Sequence, residues 1–328
     1  MSKERITQAP GKVILFGEHG VSYGTGVIAA TIDKKTILKY IPDESGYVTV
    51  KLSTLGFESS VKIGKVPSDS KTKLDSSDPN TELALKVFFT LWNEIQVQAA
   101  GTFVYSTDIP IGAGLGSSAA FCTVTAKMFL ELKGKADFDT VNRFSHLAEN
   151  IVHGKASGID NYTCLKGGFV FYSKSFFPLV AAPLRCVLVD TRKKRRTADC
   201  VRIVSEFKDT QPEKFSMLLS EMKAVVEKAK DLLERNSSLK VNSSESERHL
   251  DFMQLVDENQ RILKELRVSS EEIDQICDIA HSHACSGKLT GAGKGGHVII
   301  FGNPENFYAL VQELNLFSFD AWITTLGA

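Results

Sequence analysis

A strand, a glycine-rich turn and a long apolar helix follow one another over residues 101–132, "GTFVYSTDIPIGAGLGSSAAFCTVTAKMFLEL". No other stretch constrains the fold and the chemistry as tightly. Within it, "PIGAGLGSSAAF" (110–121) sets small residues directly ahead of Ser117 and Ser118. Glycines let backbone N–H groups approach an anion closely, and some can take a positive φ. The helix that follows aims its first N–H groups and the positive end of its dipole at the same place. Ser117 and Ser118 can cap that helix, or one of them can give a hydroxyl to a magnesium ion. A flexible turn with an ordinary serine cap would use the same residues. The stretch is not a Walker A loop, because G-x-x-x-x-G-K-[ST] does not occur. A second glycine-rich segment, "GAGKGG" (291–296), does fit G-x-G-x-x-G. No crossover unit with an acidic partner follows it, so it reads as a backbone loop leading into a strand at 296–302.

The bulk numbers exclude several classes. The chain has 328 residues, 43% hydrophobic and 24% charged, with 39 basic and 39 acidic side chains. This is a globular composition long enough for two domains. A zero net charge argues against a general nucleic-acid binder or a membrane-surface binder. No run approaches the roughly 18 apolar residues of a membrane span. The first residues, Met-Ser-Lys-Glu-Arg-Ile, lack an apolar signal core, and the last four, Thr-Leu-Gly-Ala, are not Ser-Lys-Leu. A cytoplasmic protein is expected, with no clear signal for a peroxisome-like organelle. Six cysteines (122, 164, 186, 200, 277 and 285) are scattered without a C-x-x-C pair, which reads as reduced, mostly buried thiols. His281-Ser-His283-Ala-Cys285 has the look of a metal cluster. The residues before it carry a helical stripe (Ile273, Ile276, Cys277, Ala280), and alternate residues share a face only on a strand, so metal binding there is not expected.

Residues 9–65 read as strands and turns, 67–80 as a loop, and 81–95 as a helix. A helix is expected over 138–154, where Val141, Phe144, Leu147, Ala148 and Ile151 form a stripe and Gly154 ends it. Strands are expected at 167–172 and 184–190. Long helical patterns then cover 211–235, about 250–266, and 270–285, with 236–248 read as a mobile loop. A helix at 304–315 and a last strand complete the chain. Strand-rich first and helix-rich later, the order predicts an α+β fold of two domains, 1–185 and 186–328.

Three segments carry chemistry-bearing residues. "APGKVILFGEHGV" (9–21) is an apolar strand with Lys12 at one end and Glu18-His19 at the other. "HLAENIVHGKASGIDNYT" (146–163) supplies Glu149 and Asp160. A helical glutamate is usually solvated, and an aspartate after Gly158 is common for local turn bonding, so each alone reads as structural. The third is the basic run Arg192-Lys193-Lys194-Arg195-Arg196. It suits a localisation-like patch, a solvated turn, or bidentate recognition of a carboxylate by an arginine fork.

Together, "APGKVILFGEHGVSYG", "PIGAGLGSSAA" and "KLTGAGKGG" resemble the three motifs of the GHMP kinases, in the expected order and covering both ends of the chain. Within that superfamily the first motif and "AENIVHGKASGIDN" are similar to those of the mevalonate kinases. The resemblance implies a two-domain GHMP kinase fold, with an N-terminal domain like domain 2 of ribosomal protein S5 and a ferredoxin-like α/β C-terminal domain. It implies ATP and mevalonate as small-molecule substrates, Mg²⁺ as cofactor, no nucleic-acid or membrane partner, and leaves room for a homodimer. Asp160 resembles the catalytic base, and Lys12 the lysine beside it that also meets ATP. Ser118 and Glu149 resemble the metal ligands. Gly112, Ala113, Gly114, Leu115, Gly116, Ser117 and Ser118 resemble the triphosphate cradle, with Thr107 at a nucleotide-contacting position. Glu18 and His19 resemble the substrate-side pair. The family's Arg-x-Thr places Arg195 and Thr197 on the substrate carboxylate. Lys294 and His297 depart from the family pattern, which usually has glycine at the first position and often cysteine at the second.

Overall fold

The computed structural model describes residues 3–65, 78–194, 196–238 and 245–327. It divides into two compact units. The first takes the described residues of Met1–Gly11 and Lys34–Lys166, and the second those of Lys12–Asp33 and Gly167–Ala328. These units do not meet at a single cut near residue 185. The physical reason is the length of two strands. β1 (Arg5–Phe16) and β2 (Val27–Pro42) each carry residues of both units, so the chain changes unit in mid-strand.

In the first unit, β3 (Tyr47–Leu52), β4 (Phe57–Lys62), β5 (Gly101–Thr107) and the later part of β2 form a sheet in the order β4-β3-β5-β2. The β3–β5 pair is parallel and the others are antiparallel. Helices α1 (Pro79–Ile95), α2 (Ser117–Leu132), α3 (Phe138–His153) and α4 (Ile159–Lys166) complete it. Asp78 starts α1 by accepting from the Thr81 backbone N–H at 2.8 Å, and Asp137 starts α3 by accepting from that of Thr140 at 2.9 Å. α2 packs against α1, α3 and α4, which is why its sequence is apolar nearly all round. Phe129 of α2 meets Phe88, Trp92 and Phe103 edge to face, as aromatic quadrupoles prefer. The expected loop at 67–80 lies outside the described residues up to 77.

In the second unit the first part of β2, β11 (Asp320–Leu326), β8 (Leu184–Asp190), β10 (His297–Gly302) and β9 (Cys285–Thr290) pair side by side in that order. A short pair, β6 (Phe169–Tyr172) and β7 (Phe176–Leu179), joins β2 antiparallel. The central strands β8 and β10 are apolar runs rather than alternating ones, as burial on both faces requires. Helices α5 (Thr197–Thr210), α6 (Pro212–Ser238), α7 (Glu245–Glu265), α8 (Glu271–Ser282) and α9 (Phe307–Leu316) belong to this unit. Phe252 of α7 stacks on both Phe16 and Phe301. Of the loop expected at 236–248, residues 239–244 lie outside the described ones, and helix covers the rest.

One boundary differs from expectation. The helix expected to 285 ends at Ser282, because Ala284 turns the backbone to φ 52° and Cys285 opens β9. His281 then pairs with Asp257 at 3.0 Å and His283 with Glu313 at 2.7 Å, while Cys285 is buried. Among the described residues no cluster of histidine, cysteine and carboxylate side chains suits a metal.

Candidate active site

The residues singled out in the sequence fall into two groups, one in each unit. In the first unit, β5 ends at Thr107, whose hydroxyl is 2.9 Å from that of Thr36 and accepts the Ile109 N–H at 3.2 Å. The chain then runs through the glycine loop. Leu115 is buried and holds the loop down, while Gly112 and Gly114 stay exposed. Gly116 caps α2 in the left-handed region, at φ 76°, with no side-chain cap bond. A glycine, not a serine, therefore starts the helix, and the 16-residue α2 presents its first turn to the loop without an internal side-chain acceptor. The ordinary-serine-cap reading does not hold here.

Ser118, one residue into α2, faces α3. Its hydroxyl lies 3.2 Å from His153 Nε2, and that nitrogen lies 3.6 Å from Glu149 Oε2. Glu149 and His153 are one helical turn apart on α3, so both project from the same face. The Glu149 carboxylate is almost fully buried, at 2% exposed, whereas His153 is half open to solvent. Cys122, one turn along α2 from Ser118, completes the group. Burial pushes its thiol well above the ordinary value, and the Glu149 carboxylate beside it adds to the shift. Cys122 is therefore a neutral, unreactive neighbour. All six cysteines are buried thiols outside any disulfide.

Asp160 is half-buried in the first turn of α4. The turn before it is stitched to α3. The Ala156 N–H donates to Asn150 Oδ1 at 2.8 Å, and the buried Asn161 amide lies 2.8 Å from Asn142 Oδ1. These bonds set where the aspartate stands relative to Glu149's helix.

In the second unit, Lys12 sits on β1 and is buried, at 5% exposed. After β1 the Gly17–Gly20 turn sends two neighbours in opposite directions. Glu18 goes inward and is fully buried, paired with the fully buried Lys288 of β9 and accepting from Asn259 Nδ2 of α7 at 3.1 Å. Burial raises the Glu18 carboxyl and lowers the Lys288 ammonium, and their attraction opposes both shifts. His19 goes outward, and its Nε2 lies 2.8 Å from the Ala292 carbonyl in the second glycine loop. That loop is clasped by the segment after β8. Thr191 donates from N at 2.9 Å and from Oγ1 at 2.8 Å to Gly296 O, and the Gly296 N–H returns to Lys193 O at 3.2 Å. A Cβ at Gly293 would stand 2.2 Å from Val268 O, which leaves room only for glycine. Lys294 next to it is held at φ 57°, with its N–H on Val268 O at 2.6 Å. His297 is buried against the Trp322 ring edge. Thr197 opens α5 and is exposed, and Arg195 lies outside the described residues.

The structure thus brings Ser118 and Glu149 to one place, and Glu18 and His19 to one turn. Three residues were missed from sequence. His153 carried a signal, the i, i+4 spacing from Glu149. Lys288 carried a weaker one, a lysine inside an otherwise apolar strand. Asn259 carried none.

The chain matches the family model "GHMP kinases N terminal domain" over residues 82–168 and "GHMP kinases C terminal" over 232–317. The class is that of the GHMP kinases. A mevalonate kinase of Pyrococcus furiosus is 33% identical over 305 residues, covering 89% of this chain and 87% of that protein. The mouse mevalonate kinase is 29% identical over 377 residues, covering 100% and 94%. The crystal structure of the Methanococcus jannaschii mevalonate kinase superposes with a TM-score of 0.82 at 25% identity, over 98% of each chain. The chain belongs to the mevalonate kinase family.

Proposed function

We propose that this chain transfers the γ-phosphoryl group of ATP to the 5-hydroxyl of mevalonate, giving 5-phosphomevalonate and ADP. Likeness to mevalonate kinases over the whole length of the chain is the observation that carries this reading. Phosphoryl transfer asks a protein mainly for positioning and charge neutralisation. In this reading Asp160 accepts the proton of the attacking hydroxyl. Lys12 takes the part of the family's lysine whose charge eases loss of that hydroxyl's proton. Gly112–Ser118 cradle the phosphates with backbone N–H groups, and Thr107 meets the nucleotide. Glu18 and His19 form the substrate-side turn, and Arg195 with Thr197 holds the carboxylate.

Magnesium is proposed as the cofactor. A hydroxyl and a carboxylate are hard oxygen donors of the kind Mg²⁺ takes, and those of Ser118 and Glu149 already converge on one point, the His153 nitrogen. Bound there, the ion would neutralise phosphate charge. We place the enzyme in the cytoplasm, a reading that six reduced, buried cysteines support. A homodimer is the assembly to test, by light scattering of the purified chain. No helix among the described residues is long and apolar enough to cross a membrane.

The deciding experiment is ADP release by the purified chain over a panel of mevalonate, phosphomevalonate, homoserine and galactose. Turnover with mevalonate is expected to exceed the others by orders of magnitude. Preference for another alcohol would replace the substrate and keep the class, and nucleotide uptake without ADP release would point to a regulator.

A further inference from the structure

The buried Glu18–Lys288 pair of the second unit takes no direct part in the reaction as described, yet it is costly to keep. Lys288 and Glu18 are both wholly buried, and the Phe16 ring lies 5.9 Å from the ammonium. A buried ion pair commonly stabilises a fold no better than apolar side chains of the same volume would. Its use lies in fixing one arrangement, and here it fixes a turn. Three segments distant in sequence converge on the Glu18 carboxylate: the end of β1, Lys288 of β9 and Asn259 of α7. The next residue, His19, has φ 60° and ψ −45°, a strained conformation for a side chain with a Cβ. Such strain persists only where the surroundings hold it. The turn's own bonds, Gly20 N–H to Glu18 O at 2.6 Å and Ser22 N–H to His19 O at 3.1 Å, tie it locally, and the Glu18 side chain ties it to the core.

The other end of the contact is anchored by the same strand. His19 touches Ala292, and the loop holding Ala292 begins directly after β9. Lys288 also donates to Leu289 O at 2.7 Å, the Leu289 N–H is taken by Gln260 Oε1 at 3.0 Å, and Thr290 exchanges two bonds with Ile14 of β1. One ion pair thus sets both the turn that carries His19 and the strand that feeds its partner.

We infer that Glu18 and Lys288 are positioning residues for His19: their pair, held by Asn259, locks the Glu18–His19 turn so that the imidazole stands where the alcohol substrate is met. Glu18 then serves the substrate through its neighbour and not by contact. The inference rests on the reading that His19 faces the substrate.

The test uses the full-length chain with Glu18→Gln and Lys288→Met made singly and together, and His19→Ala alone and on the double variant. The double variant leaves no uncompensated charge, so it is the one expected to fold even where Lys288→Met does not. Its KM for mevalonate is expected to rise on the order of 10- to 100-fold, the size of a misplaced positioning group, with the KM for ATP nearly unchanged. His19→Ala should add little on top of it, since both act through one group. In the substrate-free protein the His19 imidazole resonance should move in the double variant. A folded double variant with wild-type mevalonate KM and an unmoved His19 resonance overturns the proposal. So does a double variant that cannot fold, because the pair would then be a scaffold element only. If His19→Ala itself leaves the mevalonate KM untouched, the substrate reading fails, and the imidazole resonance still decides whether the pair positions the ring.

Discussion

Two glycine-rich loops, one in each unit, are supported in opposite ways. The loop ahead of α2 stands exposed, and the polar groups beside it are half open: Ser118, and His153 at its hydrogen-bond distance. The loop between β9 and β10 is clasped by backbone bonds, and the Glu18–Lys288 pair, whose lysine lies on the strand that feeds it, is sealed from water. In the first region the loop and Ser118 are left available to a ligand, while the Glu149 carboxylate beside them is sealed. In the second the Glu18–Lys288 pair is locked away, and its neighbour His19 is handed outward. Exposure of the first loop therefore suits contact with a ligand, and the sealed Glu18–Lys288 pair suits placement of the His19 turn.

The largest effect should come from a group on the contact side. Asp160→Ala is expected to lower kcat by roughly 10²–10⁴-fold, the range of general-base catalysis, with melting temperature little changed. Stopped or steady-state ADP release measures it, and near-full turnover would remove Asp160 as the base. Lys288→Met tests the placement side by a different readout. It leaves the Glu18 carboxylate buried without its cation, so a stability loss of about 3–5 kcal/mol is expected in urea unfolding. A stability close to wild type would mean that Glu18 is not held as an ion. Glu149→Gln comes next. It keeps the shape and removes the charge, so the magnesium concentration for half-maximal rate should rise by at least roughly tenfold, in line with hydrogen-bonded charges contributing about 1.5–3 kcal/mol. An unchanged magnesium titration would take Glu149 out of the metal site.

The legibility of these features in the sequence follows from how local each one is. The glycine loop and α2 form one contiguous stretch, so both were readable, as were α3 from its apolar stripe and β8 from its β-branched run. The candidate residues of the first unit came from motifs whose members lie close in sequence. The burial of Glu149 did not show, because a helical glutamate looks the same solvated or sealed, and what seals it is α2 packed against α3. Lys288 and Glu18 lie 270 residues apart, beyond any periodicity. The α8–β9 boundary was missed because His281 to Cys285 continues a helical composition, and the break is a single alanine at positive φ. The interleaved units were missed because nothing in a strand's sequence tells where along its length its neighbours change.

The smallest effect belongs to the clasp on the second loop. Lys193 reaches Glu272 at the start of α8 with 2.9 Å bonds to both carboxylate oxygens, and that ammonium holds the Glu272 carboxyl down at about 2. A lowered carboxyl contributes stability that is fully present above its unfolded value, near 4.5, and is lost as pH falls through about 2. The pair is largely exposed, with side chains 45% and 34% accessible, so its share is screened and small. Lys193→Met keeps the backbone carbonyl that accepts from Gly296, so the loop stays clasped while the charge goes. The Glu272 carboxyl should return toward its ordinary range, read directly by carboxyl NMR titration, and the acid limb of the unfolding curve should move to higher pH. Turnover near neutral pH should not change, because Glu272 is ionised there in either protein. If turnover does fall, the clasp transmits side-chain placement to the second loop, and the line between a contact half and a placement half would have to be drawn closer to Lys294.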